Sequence, residues 1–259
     1  MTSTARQQVD EIRSLLAGRP GYLVGSSVAG AIYDRDFSDV DVFVPSVAAL
    51  SSITQFLLSS HAVLDAQEER KWSRWNDYGL GDWSTNSIKI ETLSGIEVNV
   101  VYKVVNKTPL TTLHGVLGSF DFGYVAMGYD LKDNTFHDGR EFWFGKGCDF
   151  NHLGMLPDRA RQWRNASLSR YTGVRQGERF AKFARRGYDM KPSIDALVTG
   201  YRCTAAHYQT KDDPEYQVYA PLYLELANLI EAYDIDALLY AYQGLQKHDP
   251  VTSLSARLP

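Results

Sequence analysis

The sequence has little of what disulfide-rich, membrane-spanning or strongly basic proteins contain in abundance. Its 259 residues include only two cysteines, Cys148 and Cys203, so we expect no disulfide framework and a reducing, cytoplasmic setting. No apolar run reaches the roughly 18 residues that a transmembrane helix requires. The first residues lack the apolar core of a signal peptide, and we expect no membrane partner. The net charge of −4 argues against a broad coat that binds nucleic acid.

Apolar residues are plentiful enough for a real core. They make up 44% of the chain, whose length suits one large domain or two small ones. Strand-like and helical patterns alternate up to about residue 150, and only helical patterns follow from Met155. We therefore predict one domain over residues 1–150 and a helical domain over residues 151–259.

The patterns also predict individual elements. Thr4 is a suitable cap for a first helix over 4–17, and a second helix is expected from Ser46 to Leu58. Residues 67–85, with Trp72, Trp75, Tyr78 and Trp83, predict a surface loop that is either pinned by packing or stacks on a base. Hairpins are predicted for 87–93 with 96–104 and for 120–131 with 135–144, and helices for 108–118, 157–170, 173–187, 192–209, 216–232 and 234–246.

The stretch from residue 22 to residue 44 has the strongest chemical pattern. Tyr22 to Val24 predicts a short strand that stops at Gly25, and Ser26 and Ser27 are expected to cap a helix over 28–33. Residues 38–44 then alternate polar and apolar side chains, which predicts a half-buried strand.

Two carboxylates lie on that predicted strand. Asp39 and Asp41 are two residues apart, so both leave the same face of the strand and repel each other. A cation between them would remove the conflict, and hard oxygen ligands suit magnesium.

These residues resemble the signature of the polymerase-beta-type nucleotidyltransferase superfamily. Gly25-Ser26 is followed by twelve residues and then by Asp39-Val40-Asp41 ahead of another apolar residue. The family places a third acid on a later strand, and the best match here is Glu97, where the family more often has Asp. The resemblance covers residues 20–105.

The resemblance implies an α+β fold, in which a small mixed β-sheet flanked by helices forms a nucleotidyltransferase core and an α-helical C-terminal domain follows. It implies the transfer of a nucleoside monophosphate from a nucleoside triphosphate to a hydroxyl, with release of pyrophosphate and dependence on Mg²⁺ or Mn²⁺. The implied catalytic and metal-binding residues are Asp39, Asp41 and Glu97. The implied nucleotide-binding residues are Gly25, Ser26 and Ser27, because glycine lets the backbone approach phosphates and a helix start offers N–H groups.

Positive charge is concentrated in the predicted helical domain. Residues 156–191 hold eight Arg and two Lys against three acids, a net charge of +7, so the other residues sum to −11. Arg175, Arg179, Lys182 and Arg186 have the spacing of one helix face. This face would contact a triphosphate, with Arg179 and Lys182 as nucleotide-binding residues, or RNA phosphates, or only solvent.

Several alternatives stay open from the sequence. The acceptor hydroxyl could belong to an RNA end, which the local positive charge favours slightly, to a protein side chain or to a small molecule. A nucleotide- or RNA-binding module of the same fold without turnover is a further alternative, supported by Glu rather than Asp at the third acidic position. The spacing of His137, Cys148 and His152 does not match a common zinc pattern. The sequence predicts neither the base preference nor the oligomeric state.

Overall fold

The structure is a computed structural model, and it describes residues 4–60, 63–73, 83–105, 107–141, 170–210 and 214–248. The chain divides into two compact units, Met1–Phe150 and Asn151–Pro259. The first unit contains a mixed β-sheet with helices, and the described part of the second is helical. The predicted α+β fold class is therefore confirmed.

The sheet of the first unit has one parallel pair among antiparallel neighbours. Its strand order is β3-β4-β5-β2-β1-β7-β8, with β6 paired to β5. β2 and β5 run parallel, and every other pair is antiparallel. The strands are β1 (Tyr22–Val24), β2 (Val40–Phe43), β3 (Val63–Ser73), β4 (Trp83–Thr92), β5 (Glu97–Val105), β6 (Thr108–Pro109), β7 (Met127–Asp130) and β8 (Thr135–Asp138).

Local capping explains where the helices of this unit begin. The first two predicted helices are confirmed as α1 (Ala5–Leu15), which follows a capping box of Thr4 and Gln7, and α3 (Val47–Ser59), which follows Ser46. In α3 the Ser46 hydroxyl accepts from the Ala49 N–H at 3.1 Å. Between them lies α2 (Ser26–Tyr33), and α4 (Leu113–Gly118) comes after β6.

The two faces of the central strands differ in chemistry. On one face Val40 and Val42 of β2 and Val98 and Val100 of β5 are fully buried. On the other face α4 covers only the apolar end, where Val24, Phe43 and Val101 pack with Leu113, Val116 and Leu117. The other end of that second face holds the polar side chains of Asp41 and Asn99, because side chains two residues apart share a face.

The prediction that residues 67–85 form a loop is wrong for the part of that range that the structure describes. β3 and β4 form an antiparallel ladder from Val63 opposite Thr92 to Ser73 opposite Trp83, with one register shift between Val63 and Asp65. The turn-forming Gly, Asn and Asp residues that suggested a loop are confined to residues 76–82. The polar and charged run at residues 67–71 has no strand-favouring composition, so its place in a strand comes from pairing with β4. Trp72 and Trp83 therefore belong to strands, and Trp75 and Tyr78 lie outside the described residues.

The helix predicted from Thr108 begins later than expected. Pro109 pairs with Val104 in the short outer strand β6, where a residue without an N–H is tolerated. The helix starts only at Leu113, because the Thr112 hydroxyl accepts from the Gly115 N–H at 3.1 Å and so caps it. The following hairpin is confirmed in shorter form as β7 and β8, with a 3-10 helix at Gly123–Val125 before it.

The described part of the second unit contains the predicted helices. They are α5 (Arg170–Arg185), α6 (Ile194–Gln209), α7 (Pro214–Glu231) and α8 (Ile235–His248). The Tyr223 ring of α7 lies 5.6 Å from the rings of both Tyr201 and Tyr208 of α6, which joins these two helices through an aromatic cluster. The helix predicted near 157–170 falls almost wholly outside the described residues. Of the helices that are described, none is both long enough and apolar enough to cross a bilayer.

Candidate functional site

The turn after β1 is built around a glycine. Gly25 has φ +88° and ψ −147°, a conformation that side chains rarely tolerate. A Cβ added at Gly25 would lie 3.4 Å from Oδ2 of Asp41 and 3.6 Å from Cζ of Phe120. The antiparallel pairing of β1 with β2, with Val24 opposite Asp41, brings the turn to this carboxylate. The Gly25 turn and Asp41 are therefore neighbours.

Helix α2 starts directly at this turn, two residues earlier than predicted. Gly25 itself is the N-cap, and no side chain makes a capping hydrogen bond, so the predicted capping by Ser26 and Ser27 is wrong. Ser27 is fully buried, and its hydroxyl donates to the Val24 carbonyl at 3.5 Å. The first N–H groups of α2 thus lack a side-chain cap, which is the usual state of a helix start that binds an anion.

Ser26 and Ser27, which are both predicted to bind nucleotide, therefore differ in whether a ligand can reach the side chain. Ser26 is half-buried, whereas the Ser27 side chain is fully buried and faces the β1 backbone. Nucleotide binding by Ser27 would therefore use its backbone N–H, and the roles of Gly25, Ser26 and Ser27 stay predictions.

The two aspartates flank the start of β2. Asp39 precedes the strand and Asp41 lies within it, both half-buried, with the fully buried Val40 between them. The Ser38 hydroxyl donates to Oδ1 of Asp39 at 2.6 Å. The Asn99 amide donates through Nδ2 to Oδ1 of Asp41 at 3.0 Å. These hydrogen bonds fix one oxygen of each carboxylate and leave both groups at the polar end of the sheet face.

The parallel register of β2 and β5 decides which β5 residue meets Asp41. Asn99 is directly opposite Asp41, and Glu97 is two residues earlier on the same face. Glu97 is exposed, and its Oε1 accepts from Nζ of Lys89 on the neighbouring strand β4 at 2.9 Å. The predicted orientation of Glu97 towards this face is consistent with the register, but its carboxylate is engaged by Lys89.

The described residues do not show Asp39, Asp41 and Glu97 grouped around one metal position. Among the described residues, no three His, Cys, Asp or Glu side chains are grouped so as to hold a metal ion. The physical reason at Glu97 is the cation of Lys89, which neutralises and holds the carboxylate in an exposed ion pair. Glu97 as third metal ligand stays a prediction.

Asn99 is the residue to which the sequence assigned no role. Its Oδ1 is buried without a hydrogen-bond partner, while Nδ2 contacts Asp41. The only sequence signal was the shared face with Glu97. Two carboxylates beside an amide with an unsatisfied oxygen form a set of hard oxygen donors, which is the chemistry that Mg²⁺ or Mn²⁺ requires.

Phe120, which the sequence did not single out, borders the turn on its other side. This half-buried ring packs edge-on against Phe43, with centroids 6.2 Å apart. Its Cζ faces the Gly25 position, so an aromatic surface lies beside the polar end of the site.

The basic residues of the second unit do not form a uniformly exposed face. Lys182 is exposed, but Arg179 is half-buried with its guanidinium 5.7 Å from the centre of the Phe183 ring. Arg186 lies one residue beyond the end of α5, and the Arg175 side chain lies outside the described residues. Phe180 and Phe183 of the same helix are buried. Nucleotide binding by Arg179 and Lys182 stays a prediction.

The described residues give no support to a zinc site formed by His137, Cys148 and His152. His137 is exposed on β8, where its Nε2 lies 3.1 Å from Oγ1 of Thr135. Cys148 and His152 lie outside the described residues.

Comparison with known proteins gives fold-level resemblances alone. No family model matches the chain, and neither does any curated protein. It is similar to a CCA-adding enzyme in complex with CTP, with TM-score 0.49, 14% identity, and coverage of 91% of this chain and 51% of that one. It is also similar to the Thermotoga maritima CCA-adding enzyme in complex with tRNA, with TM-score 0.48, 12% identity, and coverage of 88% and 55%. The chain therefore spans about half the length of these two proteins.

Proposed function

We propose that residues 1–150 form a metal-dependent nucleotidyltransferase, which moves a nucleoside monophosphate from a nucleoside triphosphate to a hydroxyl. The main support is the contact distance between two features: a Cβ at Gly25 would lie 3.4 Å from Oδ2 of Asp41. An uncapped helix start suited to phosphates thus adjoins a carboxylate pair suited to the cation that accompanies phosphates.

Each residue has a distinct part in this proposal. Asp39 and Asp41 hold the divalent cation, Mg²⁺ or Mn²⁺, and the N–H groups at the start of α2 receive phosphate oxygens. When bound, such a cation neutralises the triphosphate and lowers the pKa of an acceptor hydroxyl. Gly25 leaves room for the phosphates because it has no side chain.

The chemical step is a substitution at the α-phosphorus. The acceptor oxygen forms a bond to that phosphorus, the bond to the bridging oxygen of the β-phosphate breaks, and pyrophosphate leaves. The hydroxyl proton passes to a base, for which Glu97 is our candidate once its contact with Lys89 opens. An RNA end is our first candidate acceptor, ahead of a protein or a small molecule.

Transfer of label tests the proposal directly. The full chain is incubated with each α-labelled nucleoside triphosphate, Mg²⁺ and the separated RNA, protein and small-molecule fractions of a cell extract. We expect metal-dependent pyrophosphate release together with label in one fraction. The absence of release with all four nucleotides and all three fractions would contradict the proposal.

A binding module without turnover is the second candidate. One observation favours it. Lys89 binds the carboxylate of Glu97, so the β5 group that contacts Asp41 is the neutral amide of Asn99 and not a third carboxylate. Saturable nucleotide binding without pyrophosphate release in the same assay would support this candidate over the enzyme.

Replacement of Glu97 by Gln is expected to lower kcat by about 100-fold or more, the usual contribution of a general base. Stability should change by no more than about 1 kcal/mol, because the ion pair is exposed, with side-chain exposures of 40% for Lys89 and 45% for Glu97. Steady-state kinetics and urea unfolding measure the two effects. Glu91→Gln is the matched control, since Glu91 is exposed and directly opposite Glu97 on β4. Loss of kcat in Glu91→Gln with normal kcat in Glu97→Gln would transfer the role to Glu91.

For an RNA acceptor, Lys182→Glu should weaken RNA binding at low salt and reduce the slope of log affinity against log salt by about 0.7 to 0.9. The reason is that exposed Lys182 would release one counterion for each phosphate it contacts. RNA titrations at several salt concentrations measure the slope. Lys132→Glu, an exposed lysine in the turn between β7 and β8, matches the change in net charge. Equal slopes in the parent and Lys182→Glu would favour a solvated lysine.

A further inference from the structure

The half-buried Asn99 combines a satisfied donor with a buried acceptor that has no partner. Nδ2 donates to Oδ1 of Asp41 at 3.0 Å, whereas Oδ1 of Asn99 is buried without a partner. Buried acceptors without partners are uncommon, because burial removes water that would otherwise bond them. The amide therefore contains an oxygen that is available to another ligand.

The 3.0 Å distance between Nδ2 of Asn99 and Oδ1 of Asp41 also matches the spacing of two ligand atoms on one metal ion. Neighbouring oxygens in an octahedral shell with bonds of about 2.1 Å lie about 3.0 Å apart. A half-turn of an amide about its terminal bond exchanges nitrogen and oxygen without moving the rest of the side chain. Asn99 can thus present either a donor to Asp41 or an oxygen at the same place, and the parallel register with Asp41 fixes that place.

Glu97 is less well placed for this task. It is exposed and bound to Lys89 at 2.9 Å, while Asn99 already contacts Asp41. We propose that Asn99 is a ligand residue of the metal site, which adds a neutral oxygen to those of Asp39 and Asp41. This inference rests on the proposed function, because it presumes that Asp39 and Asp41 hold a divalent cation.

A neutral third ligand alters the charge of the site. Asp39, Asp41 and Asn99 together contribute a formal charge of −2 rather than the −3 of three carboxylates. The remaining negative charge comes from the phosphates of the nucleotide. The site therefore binds the divalent cation weakly by itself and tightly in the presence of a nucleoside triphosphate.

Binding of Mn²⁺ to the full chain, measured by electron paramagnetic resonance and by calorimetry, tests the assignment without any turnover. We expect Asn99→Leu, which keeps the volume and removes the oxygen, to weaken Mn²⁺ binding about 10-fold or more. Asn99→Asp should tighten it about 10-fold. Without metal, Asn99→Asp should also lower the melting temperature, because a carboxylate then replaces a donor 3.0 Å from Asp41.

Two further variants separate the explanations. Lys103→Met, four residues along β5 from Asn99 on the same strand face, also makes the local charge more negative by one, but it adds no oxygen and leaves the ion pair of Glu97 with Lys89 in place. Equal tightening in both variants would overturn the ligand assignment, as would unchanged affinity in Asn99→Leu. Asp41→Asn is the reference variant. If Asp41→Asn loses Mn²⁺ binding while Asn99→Leu keeps it, the proposed function is supported and the assignment of Asn99 as a metal ligand is contradicted. If Asp41→Asn binds Mn²⁺ normally, the metal site itself is wrong.

Discussion

Asp41→Asn should reduce nucleotidyl transfer by about a thousandfold or more, which corresponds to about 4 kcal/mol of transition-state stabilisation. The carboxylate lies at the meeting point of the Gly25 turn, β2 and Asn99, and in the proposed function it is the central ligand of the cation. An amide has no charge to hold that cation, and metal contributions to such reactions amount to several kcal/mol.

The same substitution should leave the fold intact. Asn at this position can still accept from Nδ2 of Asn99, and its neutral side chain no longer repels Asp39. We expect the melting temperature without metal to be unchanged or slightly higher, in line with the usual conflict between activity and stability at charged sites.

Single-turnover transfer assays and thermal melting with and without Mg²⁺ and nucleotide measure both effects. Asp36→Asn is the matched control, because Asp36 is an exposed aspartate in the segment between α2 and β2. Asp36→Asn should behave as the parent does in every assay. Near-normal transfer by a folded Asp41→Asn protein would refute the assignment of the catalytic pair.

Gly25→Ala should reduce both the stability of the fold and the binding of nucleotide. The backbone at φ +88° and ψ −147° is strained for any residue with a side chain, which costs about 1–3 kcal/mol. The new methyl group would also stand 3.4 Å from Oδ2 of Asp41, in the space that we propose for the phosphates. We expect the KM for the nucleotide to rise at least about 10-fold, a loss of about 1.4 kcal/mol of binding.

Gly18→Ala separates these two contributions. Gly18 also has positive φ, +79°, but a Cβ there meets nothing within 4 Å. Urea unfolding should show a loss of stability in both variants, whereas only Gly25→Ala should change the KM. If Gly18→Ala raised the KM equally, general destabilisation rather than the space beside Asp41 would explain the effect.

Features with a local cause could be predicted from the sequence. Thr4 and Ser46 cap their helices, and the Ser94-Gly95 turn joins β4 to β5 with Gly95 at φ +76°. The alternation of polar and apolar residues similarly predicted the strand β2, in which Asp41 lies between the buried Val40 and Val42. In each case a few neighbouring residues determine the outcome, so short patterns are sufficient.

Features that depend on strand pairing could not be predicted in this way. The ion pair of Glu97 with Lys89 requires the register of β4 against β5, and the contact of Asn99 with Asp41 requires a parallel pair. The parallel register has no local sequence signal, because β2 and β5 are distant in sequence. The β4–β5 hairpin was predicted, but its pattern alone did not show that the Lys89 side chain would bind Glu97. Pro109 was assigned wrongly for another reason: its residue type suits a helix start, but it pairs with nearby Val104 in a short strand instead.

The single parallel pair also has a consequence for the order of folding. β3, β4 and β5 follow one another as antiparallel neighbours, so their contacts are short in sequence and close quickly. Asp41 and Asn99 are 58 residues apart, and their pairing must close the whole intervening segment. Contacts of such long range slow folding, because the chain loses entropy before it gains them. The polar end of the sheet should therefore form after the β3–β5 meander, and hydrogen exchange during refolding should protect the Ile90 amide before the Val42 amide.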